Sequence, residues 1–138
     1  MTEIVACPSC TTRNRVPVVA KGHPRCAKCK TDLPWLVAAG DSDFDTAVDT
    51  KALVLVDLWA PWCGPCHMVA PGVEDASREF AGSLKAVKVN VDDNPRTSAR
   101  FDVQGIPALF LLRGGQVVDK QIGALGSEAL RDWIRPHL

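Results

Sequence analysis

No stretch of this 138-residue chain stays apolar for the roughly 20 residues that a helix needs to cross a bilayer, so no membrane-spanning segment is expected. The opening residues, Met1-Thr2-Glu3-Ile4-Val5-Ala6-Cys7, offer neither a basic n-region nor an apolar h-region. No signal peptide is therefore expected, and the protein should work in the cytoplasm, where it is made. Net charge is lacking too, since 16 Lys and Arg balance 16 Asp and Glu, which argues against a general polyanion binder. No G-x-G-x-x-G string occurs, so neither a dinucleotide site nor a tightly bound organic cofactor is expected. No internal repeat appears apart from paired cysteines. What remains, 46% apolar and 23% charged, is the composition of one ordinary globular domain with room for a small appendage.

The charge is neutral in sum but unevenly placed. Residues 1–31 carry six Lys and Arg against Glu3 alone, formally +5, and residues 32–138 carry the compensating −5. Two units with different surfaces are expected, 1–31 and 32–138. The basic segment has no aromatic interleaving, so no nucleic-acid partner is expected.

Six cysteines fall into three Cys-x-x-Cys pairs: Cys7/Cys10, Cys26/Cys29 and Cys63/Cys66. In a reducing compartment three structural disulfides are the poorer reading, and metal binding or redox catalysis the better one. The first two pairs are separated by fifteen residues, the C-x₂-C-x₁₅-C-x₂-C spacing of a four-thiolate zinc site. About thirty residues with few large apolar groups cannot offset their chain entropy, and a metal supplies that deficit. A small zinc ribbon with one Zn²⁺ on Cys7, Cys10, Cys26 and Cys29 is expected. Two disulfides, transient redox thiols or another soft-metal site remain open. Thr11 and Lys30 stand just after the second cysteine of each knuckle, where glycine is common. Arg15–Val19 reads as a strand and Lys21-Gly22-His23-Pro24 as a turn. Four thiolates fill a tetrahedral site, so His23 reads as a turn residue.

The remaining hundred residues read as an α/β fold, a central sheet flanked by helices. Leu33–Val37 is a short strand, with Asp41-Ser42-Asp43 offering caps for a helix through Phe44, Ala47 and Val48. Lys51–Leu58 is a covered central strand, followed by a helix from about Gly64 to Phe80 with Pro65 in its first turn and Pro71 expected to kink it. Strands at 86–91, 106–112 and 116–122 follow. A short helix ends near Phe101, Gly114-Gly115 makes a hairpin turn, and Ser127 caps the last helix. The order is β-α-β-α-β-α-β-β-α.

The third pair differs from the others in context. Trp59-Ala60-Pro61-Trp62-Cys63-Gly64-Pro65-Cys66 lies between an apolar strand and a helix, the setting of a redox dithiol. A zinc half-site with His67 is the alternative, and lacks a fourth ligand. Asp57 interrupts the apolar strand, where a carboxylate is costly unless used or paired, and its pKa should rise. Lys88 on the neighbouring strand is its candidate partner.

On these motifs, joined by Val91-Asp92-Asp93-Asn94-Pro95, Gly105-Ile106-Pro107 and Gly123-Ala124, residues from about 35 to 138 resemble the thioredoxin family along the whole domain. With four cysteines in front, the chain resembles its zinc-bearing bacterial class, the thioredoxin 2 type. His67 and Ala108 depart from the usual Lys or Arg and the usual Thr. The resemblance implies reduction of protein disulfides by dithiol–disulfide exchange, and a redox-active disulfide. Cys63 would be the nucleophile, favoured as thiolate by the helix N-terminus, and Cys66 the resolving thiol. Asp57 would take the Cys66 proton. A cis peptide bond at Pro107 would offer the backbone of Ile106 to substrate, within an apolar rim of Trp59 and Trp62 kept flat by Gly64, Gly105, Gly123 and Ala124. It implies as partners an NADPH-dependent thioredoxin reductase and oxidised proteins, and a monomer is expected. The rival class is a zinc-ribbon adaptor, or a redox-sensing binding module, whose second domain only docks.

Overall fold

The computed structural model describes residues 2–20 and 22–138, with the Thr2 side chain left aside. Lys21 of the expected turn lies outside the described residues. The chain opens with an antiparallel hairpin, β1 (Thr2–Ala6) and β2 (Arg13–Pro17), paired from Thr2↔Pro17 to Ala6↔Arg13. A five-stranded mixed sheet then forms from β3 (Leu36–Ala38), β4 (Leu53–Trp59), β5 (Leu84–Asn90), β6 (Ala108–Arg113) and β7 (Gln116–Ile122), in the order β3-β5-β4-β6-β7. β5 runs parallel to β3 and β4, while β6 is antiparallel to β4 and β7. Helices α1 (Phe44–Ala47), α2 (Gly64–Glu79), α3 (Pro95–Arg100) and α4 (Ser127–Ile134) complete it, and a 3₁₀ turn spans Arg135–His137.

β4 is the centre, and its alternation builds two cores. Leu53 and Leu55 cluster with Val69, Val73 and Ala76 of α2 and with Leu130 and Ile134 of α4. Val54, Val56 and Leu58 cluster with Phe44, Ala47 and Val48 on the other face. Asp57 shares the strand face of Leu53 and Leu55, under α2. Between β6 and β7 the turn glycines Gly114 and Gly115 have φ of 60° and 78°, the left-handed pair that a two-residue hairpin requires.

Three local expectations need correction. The strand expected at Leu33–Val37 begins only at Leu36. Leu33 and Trp35 are fully buried instead, and the Trp35 indole donates to the Pro17 carbonyl at 2.8 Å. The acids before α1 do not cap it through their side chains. The Asp41 carboxylate accepts from the backbone of Arg96 and Thr97 at the start of α3, and Asp43 accepts from the Gly40 N–H. Ser127 is the first residue of α4 and not its cap, and its hydroxyl donates to Asp75. Trp35, Asp41 and Ser127 engage tertiary partners, while Asp43 turns back to Gly40 three residues away.

The hairpin and the sheet share a core: Cys7, Val16, Val18 and Cys26 belong to the same buried cluster as Trp35, Val37 and Val87. Lys85 bolts the two together. Its side chain is fully buried, and its ammonium donates to the carbonyls of Val18 and Ala47, each at 2.6 Å, 4.2 Å from the Trp35 ring centre. Burial lowers its pKa to about 8, opposed by the charge of Asp43. Lys85→Met would strand both carbonyls and is expected to cost about 2 kcal/mol in urea unfolding.

The two cysteine knuckles are copies of one turn. Cys7 N donates to Thr12 O and Thr11 N to Cys7 O; Cys26 N donates to Thr31 O and Lys30 N to Cys26 O. The residue after each second cysteine takes a left-handed φ, 63° at Thr11 and 67° at Lys30. The missing glycines noted in the sequence are thus felt as backbone strain, most at β-branched Thr11. Thr11→Gly is expected to stabilise the protein by about 1 kcal/mol, read as a higher thermal midpoint.

Candidate functional site

The third cysteine pair lies where β4 ends and α2 begins. Cys63 is the N-cap of α2 with an extended backbone, and its sulfur accepts the Cys66 N–H at 3.2 Å. Sulfur thus stands where a serine or aspartate oxygen usually caps, at the positive end of the helix dipole. Pro65 sits in the first turn, where its missing N–H leaves no bond unmade. Cys63 and Cys66 form a disulfide with Cα atoms 5.3 Å apart, and the other four cysteines are free.

Several residues singled out in the sequence lie around this disulfide. The Ile106–Pro107 peptide bond is cis, and Cys63 Sγ lies 3.9 Å from the Ile106 carbonyl oxygen. Gly123 N donates to Pro107 O at 2.8 Å with a φ of 97°, which a side-chain-bearing residue would resist. A Cβ at Gly64 would meet open space, so nothing rises beside the sulfurs there. Trp62 is 71% exposed, and its indole is pinned to the Asp92 carboxylate at 3.0 Å. Trp59 is half-buried, with the Lys88 ammonium 4.8 Å from its ring centre. The Asp92 anchor was missed in the sequence. The signal was there: an indole N–H wants an acceptor, and Asp92 follows the strand beside the one that leads to Trp62.

Asp57 is 1% exposed, and neither carboxylate oxygen has a hydrogen-bond partner among the described residues. Burial raises its pKa to about 6, against the opposing charge of Lys88, its register neighbour across β4 and β5. A buried carboxylate without donors holds a proton well and holds a charge badly.

The other four cysteines converge, their sulfurs all within 4.8 Å of one another. Cys7 and Cys29 are 3.5 Å apart, Cys10 and Cys26 3.6 Å. A tetrahedral four-thiolate site with metal–sulfur bonds near 2.3 Å has edges of about 3.8 Å, so the donors fit one metal ion. The N–H groups of Cys29 and Lys28, with the Asn14 amide, bring the Cys26 thiol down to about 6 against the effect of burial. His23 is 3.0 Å from the Asp32 carboxylate and stands outside this cluster.

The titration of Asp57 gives a stability test. Its folded pKa of about 6 exceeds its ordinary 3.8, so its contribution favours the fold below that ordinary value and is lost as pH rises through about 6. Asp57→Asn is therefore expected to gain up to about 3 kcal/mol over the native chain at pH 8. The gain should fall away as pH drops below about 6 and vanish near pH 3, measured by urea unfolding across that range. A pH-independent difference would contradict this account.

Comparison with known proteins agrees with the geometry. The sequence model of the thioredoxin family, described as "Thioredoxin", matches residues 35–136. The chain is 48% identical to a thioredoxin of Haemophilus influenzae over 99 residues, 71% of this chain and 92% of that protein. It is 44% identical to "Thioredoxin 1" of a Nostoc species over the same shares. It is 42% identical to a Bacillus subtilis thioredoxin over 103 residues, 75% of this chain and 98% of the relative. With a redox disulfide at the start of α2 and a cis proline facing it, the chain belongs to the thioredoxin family, as a thiol–disulfide oxidoreductase that reduces protein disulfides.

Proposed function

We propose that Cys63 is the attacking thiol, Cys66 the resolving thiol and Asp57 the proton acceptor of a general protein-disulfide reductase. The observation that carries this is the Cys63 sulfur at the α2 N-terminus, accepting a backbone N–H and facing the cis Ile106–Pro107 bond. Cys63 thiolate attacks one sulfur of a substrate disulfide, and the other sulfur leaves as thiolate. The Asp57 carboxylate takes the Cys66 proton; its raised pKa suits that transfer at neutral pH. Cys66 thiolate then attacks Cys63 Sγ, closes the ring and releases the second substrate sulfur with the bonding pair. Ile106 offers backbone groups to an extended substrate segment, with Trp59 and Trp62 as apolar rim and Lys88 tuning Asp57. Two electrons from an NADPH-dependent thioredoxin reductase reopen the disulfide. The protein acts as a cytoplasmic monomer. No helix among the described residues is long and apolar enough to cross a membrane.

Cys7, Cys10, Cys26 and Cys29 hold one structural zinc, which suits four soft thiolates in a closed tetrahedron. Bound, it neutralises part of the thiolate charge and locks the two knuckles together. Residues 1–31 are then a metal-organised ribbon on a redox domain of residues 32–138.

Two measurements on the purified protein test this reading. Reduced protein should contain one zinc per chain and show two rapidly titrating thiols. It should reduce insulin disulfides with dithiothreitol as electron source, and Cys63→Ser should work no faster than dithiothreitol alone. Six rapidly titrating thiols and no zinc would refute the ribbon, and equal rates for both proteins would refute the catalytic assignment.

A further inference from the structure

His67 follows the resolving cysteine, at the position where the family commonly carries Lys or Arg. Its side chain is exposed and tilts back toward the start of α2, as helical side chains do. Its Nε2 lies 2.7 Å from the carbonyl oxygen of Pro61, two residues before Cys63. A carbonyl can only accept, so Nε2 carries the hydrogen, in either the neutral or the charged ring. The ring also stands edge-on to Trp59, centres 6.2 Å apart at 72°.

The loop from Ala60 to Cys63 has other ties. Cys63 N donates to Ala60 O at 3.1 Å, the Trp62 indole donates to Asp92, and Cys63 accepts from α2, its carbonyl from His67 N at 3.3 Å and its sulfur from Cys66 N at 3.2 Å. The first lies within the loop, the second runs to the loop after β5, and the last two hold Cys63 itself. Among these contacts the His67 side chain is the one that ties the loop ahead of Cys63, at Pro61, to α2, the helix that carries Cys66. While Cys63 and Cys66 are bonded, the ring itself fixes their spacing. During turnover that bond is open, and the spacing depends on such contacts.

We propose that His67 is a positioning residue that keeps Cys66 within reach of Cys63 during the resolving step. This rests on the assignment of Cys63 and Cys66 above. In that step Cys66 thiolate attacks Cys63 Sγ of the mixed disulfide. The Cys63–Cys66 bond forms, the Cys63–substrate bond breaks, and the substrate sulfur leaves with the electron pair and takes up a proton from solvent. Holding the two sulfurs' carriers together raises their effective concentration for each other. The same clamp favours the closed ring at equilibrium.

The test uses the full reduced protein and Ellman's disulfide, whose aromatic thiolate is released once by Cys63 attack and once by resolution. Loss of one hydrogen bond should make His67→Ala about fivefold slower in the second release. The first release should stay within about twofold of the native rate. The reduction potential should become less negative by ~20 mV, the same fivefold factor expressed for a two-electron couple. His67→Gln, a neutral donor of similar reach, should restore both readouts. An unchanged second phase in His67→Ala overturns the proposal. So does a His67→Gln variant that behaves like His67→Ala, which would assign the effect to the ring or its charge. If the native protein shows no second release, the assignment of Cys66 fails instead. Because His67 is exposed, both variants should fold, with thermal unfolding as the control.

Discussion

A sulfur atom caps a helix in this protein, and the rest of the redox site is arranged around that contact. Cys63 occupies the N-cap of α2 and accepts the N–H of Cys66. One geometry therefore does two things. It places a developing thiolate at the positive end of sixteen helical residues, and it brings the second sulfur within bonding reach one turn later. The contact requires β4 to end at Trp59, aimed at the start of α2. That in turn requires β4 to be clamped between β5 and β6 over nearly its whole length.

Among the described residues the protein buries one ammonium and one carboxylate, and partners them differently. Lys85 is given two carbonyls and an aromatic face, which offset part of the cost of burying its charge. Asp57 is given no hydrogen-bond partner, only the opposing charge of Lys88 on the next strand, so its charge is penalised. The first arrangement is that of a fastener, since a satisfied buried charge fixes the elements that satisfy it. The second suits the proton acceptor proposed above, since an unsatisfied carboxylate gains by protonation. Burial alone therefore does not separate structure from chemistry in this chain; the hydrogen-bond partners around each group do.

The apolar run of Leu53–Leu58, the glycine pair at 114–115 and the cysteine spacings were legible because each is a local signal. They predicted the element order, the hairpin and both cysteine groups. Ile106-Pro107 was legible only through the resemblance, since no spacing argument makes a proline cis. What escaped were the long-range exchanges. Asp41 reads as a cap for the helix beside it and instead caps α3, fifty-odd residues away. Lys85 reads as one more strand lysine. Its role depends on Val18 and Ala47, which sequence order does not bring near it. The first strand, Thr2–Ala6, was missed because it is short and carries Glu3, and it forms through its pairing with β2.

The same exchanges bear on how a four-cysteine cluster and a disulfide coexist in one small chain. A free-standing ribbon of thirty residues would rest on its metal alone. Here Cys7 and Cys26 lie in the cluster that also holds Trp35, Val56 and Leu58, the last two on the strand leading to the redox site. The ribbon borrows a core and lends one: it covers Trp35 and supplies Val18 O to Lys85, which sits on β5 beside β4. Opening of the four-cysteine cluster would then loosen the packing behind β4 and not only the knuckles. The cluster that holds Cys7 and Cys26 borders the one that holds Cys63 and Cys66, with Val91 packed against both. On the proposed assignment, Cys63 and Cys66 cycle between thiol and disulfide while the other four sulfurs serve the fold.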